Sequence, residues 1–462
     1  MTETEAFRRQ MPPPLEPRPL NLPEHFETTL ANGLGLVVVE DKRLPLISFR
    51  LAFRSGDAND PPALPGLGDM MSHLLTEGTA TRTSRQIAEQ VERLGATLTV
   101  GSGSDFTTVA ASTLSLYADE ILELLAEVTL SPSFPQNEID LARENTKQLL
   151  IQQRAQPNFL ASERLAQVMF GEHPYARVSP TPESLDALSR EALVSFREST
   201  FIPNNAVMII VGDVESDSIV AVIEQLLGGW KPGALPDLNF PPLPKRTART
   251  AYLVDRPGSA QSNIVIANQG ITRTSSDYFP MLLMHTVLGA NASSRLFMNL
   301  REEKGYTYGA YSNLDARRLA GTFRATAEVR TPVTGASLHE FFNELNRVRD
   351  EPVSDEEIKN AKSYLSGVFP IRIETQDGLT DQLVSIRMYD LPDDYLQTYR
   401  DRINAVTAED IQRVAQKYVR PEEAVIVVVG DAAETSEQVK PYSEAIELYD
   451  TEGNRKAGGS GQ

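Results

Sequence analysis

The chain contains no cysteine, which excludes disulfides, thiol nucleophiles and thiolate metal sites. It also lacks long apolar runs: the stretches at 206–211 and 424–429 are far too short to span a bilayer. Basic residues are in deficit, with Lys+Arg 44 against Asp+Glu 63 and a net charge of −19. That balance argues against nucleic-acid backbones and anionic membranes as partners and suits a soluble protein. Near the N-terminus Arg8-Arg9 is followed by Met11-Pro12-Pro13-Pro14 rather than an apolar segment. No secretory signal is therefore read there, and the expectation is a cytoplasmic protein, or a periplasmic one if a leader has been trimmed.

What is present is an ordinary globular composition, 41% hydrophobic and 23% charged. At 462 residues the chain exceeds what one core normally serves, so two domains are expected. The chain repeats its own plan. Pro203-Asn204-Asn205 leads through an apolar run to Gly212-Asp213, and Pro421-Glu422-Glu423 leads through another to Gly430-Asp431. Each run reads as a buried strand preceded by a helix, at 190–200 in one half and 408–418 in the other. Upstream, each half shows two helices separated by a proline break: 116–129 and 137–153, then 336–349 and 355–367. Residues 1–24 read as an extended arm, 25–230 as the first domain and 231–249 as a Pro-rich linker. Residues 250–450 read as the second domain and 451–462 as a disordered tail. Pieces at 33–40 and 46–53 suggest a hairpin. Each half is expected to be α+β, a mixed, largely antiparallel sheet with helices on one face.

The segment 66–79 (GLGDMMSHLLTEGT) carries the first chemical signal. Asp69, Ser72 and His73 stand at i, i+3 and i+4 and share one helical face. A helix-borne hydrolytic zinc site needs two imidazoles one turn apart and a carboxylate between them, in the inverted form H-x-x-E-H. This chain has D-x-x-S-H instead.

With the 66–79 frame, the helix following Phe134-Pro135, Gly171-Glu172-His173-Pro174-Tyr175 and the 294–312 segment occurring in order, the chain resembles the M16 (pitrilysin-like, mitochondrial-processing-peptidase-like) metallopeptidases of short-subunit type. The resemblance covers residues 25–445. It implies two homologous metallopeptidase-like (LuxS-like) domains forming one half of a clam-shell, with the active site between facing subunits. It also implies a further zinc-binding glutamate 76 to 77 positions after the first ligand pair. That position falls on Gln148, Leu149 or Leu150, none of them a carboxylate. The expectation is a dead zinc site at Asp69, Ser72 and His73, with no metal bound by this chain. A weak metal site from Asp69, His73 and Glu77 is the rival.

The resemblance also implies an Arg/Tyr pair in the second domain, seven positions apart, and Arg301 and Tyr308 match it. Tyrosine can stabilise a developing oxyanion, and a guanidinium can hold a carbonyl at any relevant pH. Read without the family, Arg301 would be a surface ion pair with Glu302 or Glu303, and Tyr308 a core aromatic. Tyr306 and Tyr311 are alternatives to Tyr308. His173 is expected to order backbone, and His285 to be a core histidine. The segment 95–103 is either an ordinary strand or an exposed one that pairs with extended peptides. The function implied is a zinc-free peptidase subunit, inactive alone, paired with a zinc-bearing M16 sister and acting on peptide or unfolded polypeptide. A non-proteolytic peptide-binding scaffold and a homomeric metallopeptidase with an atypical site are the alternatives.

Overall fold

A computed structural model describes residues 20–236 and 239–456. The first half supplies strands β1 (His25–Thr29), β2 (Gly35–Glu40), β3 (Leu46–Phe53), β4 (Thr97–Ser102), β5 (Thr107–Leu114) and β6 (Ala206–Gly212). Its helices are α1 (Leu67–Leu74), α2 (Ser84–Arg93), α3 (Ala118–Leu130), α4 (Gln136–Arg154), α5 (Pro157–Phe170), α6 (Pro182–Ala187), α7 (Arg190–Thr200) and α8 (Ser216–Leu227). The second half supplies β7 (Thr250–Asp255), β8 (Gln261–Gln269), β9 (Thr307–Ala316), β10 (Gly321–Arg330), β11 (Val425–Gly430) and β12 (Ala445–Tyr449). Its helices are α9 (Tyr278–Gly289), α10 (Arg295–Phe297), α11 (Thr334–Asp350), α12 (Asp355–Arg372), α13 (Gln376–Met388), α14 (Tyr395–Ala405), α15 (Ala408–Tyr418) and α16 (Ala432–Val439).

Two six-stranded sheets result, ordered β1-β2-β6-β3-β5-β4 and β12-β7-β11-β8-β10-β9. The last five strands of each list correspond one to one, so the repeat legible in sequence is a repeat of topology. The halves differ at the first edge, where β1 runs antiparallel to β2 but β12 runs parallel to β7. The protein is α+β with mixed sheets. The hairpin expected from 33–40 and 46–53 does not form: β6 lies between β2 and β3, parallel to one and antiparallel to the other. Both strands are buried on both faces, and such strands sit inside a sheet, where a third strand can separate sequence neighbours.

Each sheet packs its own half's helices on one face. On the other face the halves exchange helices. Leu379, Leu383 and Val384 of α13 join Val37, Val39, Ile209 and Val211 of the first sheet in one core. Reciprocally, α5 lays Leu160, Leu165 and Met169 across Val427, Val265 and Ala267 of the second sheet. The linker is also pinned: Asn204 Nδ2 donates to Gly233 O at 2.8 Å, and Gln269 Nε2 to Pro244 O at 2.8 Å.

The stretch expected as a disordered tail is ordered as far as Lys456. Its amide donates to Leu448 O at 2.8 Å, and its ammonium reaches Asp255 Oδ2 at 2.6 Å. Arg154 and Arg164 clamp the carbonyls of Thr451 and Gly453. Lysine at a strand-return position finds a carboxylate there, which composition alone does not reveal. Residues 457–462, and 1–19 of the expected arm, lie outside the described residues.

Candidate active site

Helix α1 begins where the chain has little freedom. Gly66 has φ +89, and a β-carbon there would lie 2.7 Å from Pro180, so glycine is required by both conformation and space. Asp60 accepts the amides of Gly66 at 2.7 Å and Gly68 at 2.8 Å, satisfying donors at the helix start. Burial nevertheless pushes the Asp60 carboxyl up to about 7, against those hydrogen bonds, and pushes Asp57 up to about 6. With Asp69 and Arg177 these groups line a cleft of about 190 Å³. Asp57 and Asp60 escaped the sequence reading because their role depends on a fold-back of the chain. The clustering of acids at 57, 60 and 69 was the visible signal.

On α1 itself, Asp69 and His73 are on the open side and Ser72 is buried. The Ser72 hydroxyl donates back to Gly68 O at 2.8 Å, a bond within its own helix. Helix α4, which carries the resemblance's third-ligand position, packs against α1. There Leu150 is buried in the core, while Gln148 and Leu149 are exposed. The donor set does not fit zinc: an inward hydroxyl replaces the general base, and α4 offers no carboxylate at that position. Among the described residues no group of three or more His, Asp or Glu is arranged to hold a metal ion.

Edge strand β4 runs beside α1 and pairs on one side only, with β5. Its residues alternate between exposed and half-buried. The 95–103 segment is therefore an edge strand with free backbone groups.

The Arg/Tyr segment takes a form that periodicity did not predict. Only α10 is α-helical; residues Met298–Glu303 form a π-helix. The Lys304 amide reaches back to Asn299 O at 3.0 Å, and the Tyr306 amide to Leu300 O at 2.9 Å, which widens the turn. Asn299 is pinned by Glu340 at 3.1 Å and Glu344 at 2.8 Å. Gly305, at φ +64, then turns the chain into β9.

Arg301 lies in this π-turn with its guanidinium 4.9 Å from the Phe297 ring centroid, and it also pairs with Glu302. The Phe297 ring meets Tyr311 at 5.7 Å. Tyr311 lies along β9 because residue 309 is glycine: a β-carbon there would fall 2.6 Å from the tyrosine ring. Tyr308 is 90% exposed. Among the described residues no hydrogen bond or ring contact joins Arg301 to Tyr308. Arg301 thus stands on the π-turn and Tyr308 on the edge strand β9, while Phe297 links Arg301 to Tyr311. The Phe297–Tyr311 platform was missed in sequence because an aromatic stripe at helical spacing reads as core.

The remaining histidines differ in setting. His173 is buried, and its Nδ1 accepts the Tyr175 amide at 3.2 Å, so it orders backbone. His285 on α9 has Nδ1 2.7 Å from Ser312 Oγ, and burial pushes it down to about 4, so it is neutral at physiological pH.

Comparison with known proteins agrees with this architecture. Residues 36–182 match the insulinase (peptidase family M16) model, and residues 187–365 match the peptidase M16 inactive-domain model. A peptidase M16 inactive-domain structure from Pseudomonas fluorescens superposes with a TM-score of 0.83 at 26% identity, covering 88% of this chain and 98% of that one. A Helicobacter pylori protease superposes equally well at 20% identity, covering 88% of this chain and all of the other (100%). An uncharacterized zinc protease of Streptomyces coelicolor is 24% identical over 408 residues, 86% of this chain and 88% of its own. The chain is a two-domain member of the M16 peptidase family. No helix among the described residues is long and apolar enough to cross a membrane.

Proposed function

We propose that this chain is the zinc-free subunit of an M16 peptidase, supplying Arg301 and Tyr308 to a sister chain that carries the zinc. The supporting observation is the contrast within the molecule. The helix α1 site has no general base and no third ligand, whereas Arg301 and Tyr308 stand solvent-reachable beside an unpaired strand edge. The metal, and the water activation it provides, belong to the sister. Here a peptide adds as a strand to an open edge, where main-chain bonds fix its register. Arg301 leaves Glu302 and donates to a peptide carbonyl. The Tyr308 hydroxyl donates to the oxygen that becomes negative as water adds. The name of the Streptomyces relative, a zinc protease, supports the reaction class for the assembly.

Hydrolysis of a quenched fluorescent peptide library by this chain, by a zinc-bearing sister and by the two mixed tests the reading. The expected result is activity only in the mixture, lost with Arg301→Ala or Tyr308→Phe. Chelator-sensitive activity of this chain alone would overturn it in favour of a homomeric enzyme. Silence from a mixture whose chains do associate would point to a peptide-binding scaffold.

A further inference from the structure

The face of the second sheet that receives α5 is only partly covered. Helix α5 lies mainly over β11 and β8, where Val265 and Ala267 meet it. Residues directly across from these on β10 share that face: Arg324 pairs with Ala267 and Thr326 with Val265. On β9 the same face carries Asn313 opposite Arg324, and Tyr311 opposite Thr326. This outer part of the sheet is a wall of polar side chains, and among the described residues α5 has its main contacts elsewhere, on β11 and β8.

Arg324 is half-buried in that wall, yet among the described residues it donates no hydrogen bond and makes no ion pair. The acid associated with it, Asp315, is already held by Arg317 at 2.7 and 2.9 Å. Several other sequestered arginines are matched. Arg50 pairs with Asp377 and Asp381, Arg295 with Glu357, Arg154 with Glu163, and Arg197 caps the carbonyls of Thr129 and Leu130. In a chain with Asp+Glu 63 against Lys+Arg 44, carboxylates were available to neutralise one more. Burial lowers the proton affinity of Arg324, but a guanidinium stays charged at any physiological pH. A partly desolvated cation without a counter-charge is costly unless something else provides one.

We propose that Arg324 is a seat for a carboxylate carried by the bound peptide, with Asn313 beside it. The planar guanidinium fork fits a carboxylate with two parallel hydrogen bonds. The seat lies two residues along β10 from Thr326, about 7 Å from the strand position opposite Tyr311. Tyr311 touches Phe297, on which Arg301 rests. A peptide strand added at the β9 edge thus has one residue near Arg301 and, further along on the face of this wall, a side chain or terminus within the reach of Arg324. The ligand class rests on the peptide-binding reading above, and the carboxylate belongs either to an acidic side chain or to the peptide's C-terminus.

The test is fluorescence anisotropy with the full chain alone and fluorescein-labelled unstructured peptides. These carry Glu or Gln at one position, each with a free or amidated C-terminus. The expected result is binding about tenfold tighter for a carboxylate-bearing peptide than for its neutral counterpart. A protein of net charge −19 would otherwise show the opposite preference. Comparing the Glu and free-terminus arms identifies the source. Arg324→Gln should erase the preference at a melting temperature no lower than the parent's, and Arg324→Lys should retain part of it. Arg301→Ala should weaken all the peptides alike. Equal binding of acidic and neutral peptides, a preference that survives in Arg324→Gln, or no binding of any peptide would each overturn the proposal. Silence in the mixed hydrolysis assay while the preference persists would instead defeat the subunit reading alone.

Discussion

Helices α1 and α9 occupy equivalent places in the two halves, each packed beside its sheet's last strand, β4 or β9. Helix α1 keeps an open polar side with Asp69 and His73. Helix α9 is closed: none of its twelve residues is exposed, and His285 is neutral against Ser312. On α1 Ser72 turns inward, and Asp69 and His73 belong to no group of three or more possible metal ligands among the described residues. In the half with the closed helix the proposed reactive groups lie one element later, on the π-turn and β9. On the proposed reading, one duplicated frame shifts its reactive groups from a helix face to a strand edge without altering the order of its strands.

The sharpest way to break this comparison is to disable each half separately. In the mixed hydrolysis assay Arg301→Ala should lower kcat by about a hundredfold or more, whereas His73→Ala should change it less than about twofold. Equal losses would mean the open helix is still in use. A second test concerns which half each exchanged helix supports. Leu165→Ala on α5 should cost about 3 kcal/mol in chemical denaturation and raise hydrogen exchange in β8 and β11, in the half that does not contain the mutation. Faster exchange confined to the first half would contradict the exchange of helices.

Acid should separate the halves as well. Asp57 at about 6 and Asp60 at about 7 lie above their unfolded value of 3.8, so their share of stability grows as pH falls from 7 towards 4. His285 at about 4 lies below its unfolded value of 6.5, so its share, at most about 3 kcal/mol, is full above pH 6.5 and is lost as pH falls towards 4. Asp277 and Glu357, both held at about 2, contribute above their unfolded values near 4 and lose that share below them. Hydrogen exchange corrected for intrinsic rates should show α9 and β9 loosening before α1 as pH drops from about 7 to about 4.5. Simultaneous loosening would show that the interlocked halves respond as one unit. The smallest effect is expected at Ser72→Ala. It removes one hydroxyl bond within α1 and should shift stability by less than about 1 kcal/mol with activity unchanged.

Local pattern made much of this architecture readable. The helices at 190–200 and 408–418 fall where apolar periodicity and Thr or Ser caps place them, because both signals lie within a few residues of the element. The residues at the resemblance's zinc positions, Asp69, Ser72 and Gln148 to Leu150, are equally legible, being identities at fixed spacing. What was not visible depends on partners far along the chain. The separation of β2 from β3 requires β6, well over a hundred residues later. The π-turn requires Glu340 and Glu344 to grip Asn299. The isolation of Arg324 is a fact about which side chains fail to reach it, and no spacing rule records that.

The exchanged helices also set an order for the protein's birth. Val37, Val39, Ile209 and Val211 have no cover on one side until α13 arrives, and α13 ends at Met388. A ribosome that has finished the first half has thus released a sheet with one greasy face bare, and it must translate most of the second half before that face is shielded. The bare face lasts through the translation of most of the second repeat, and that is the interval in which aggregation should compete with folding.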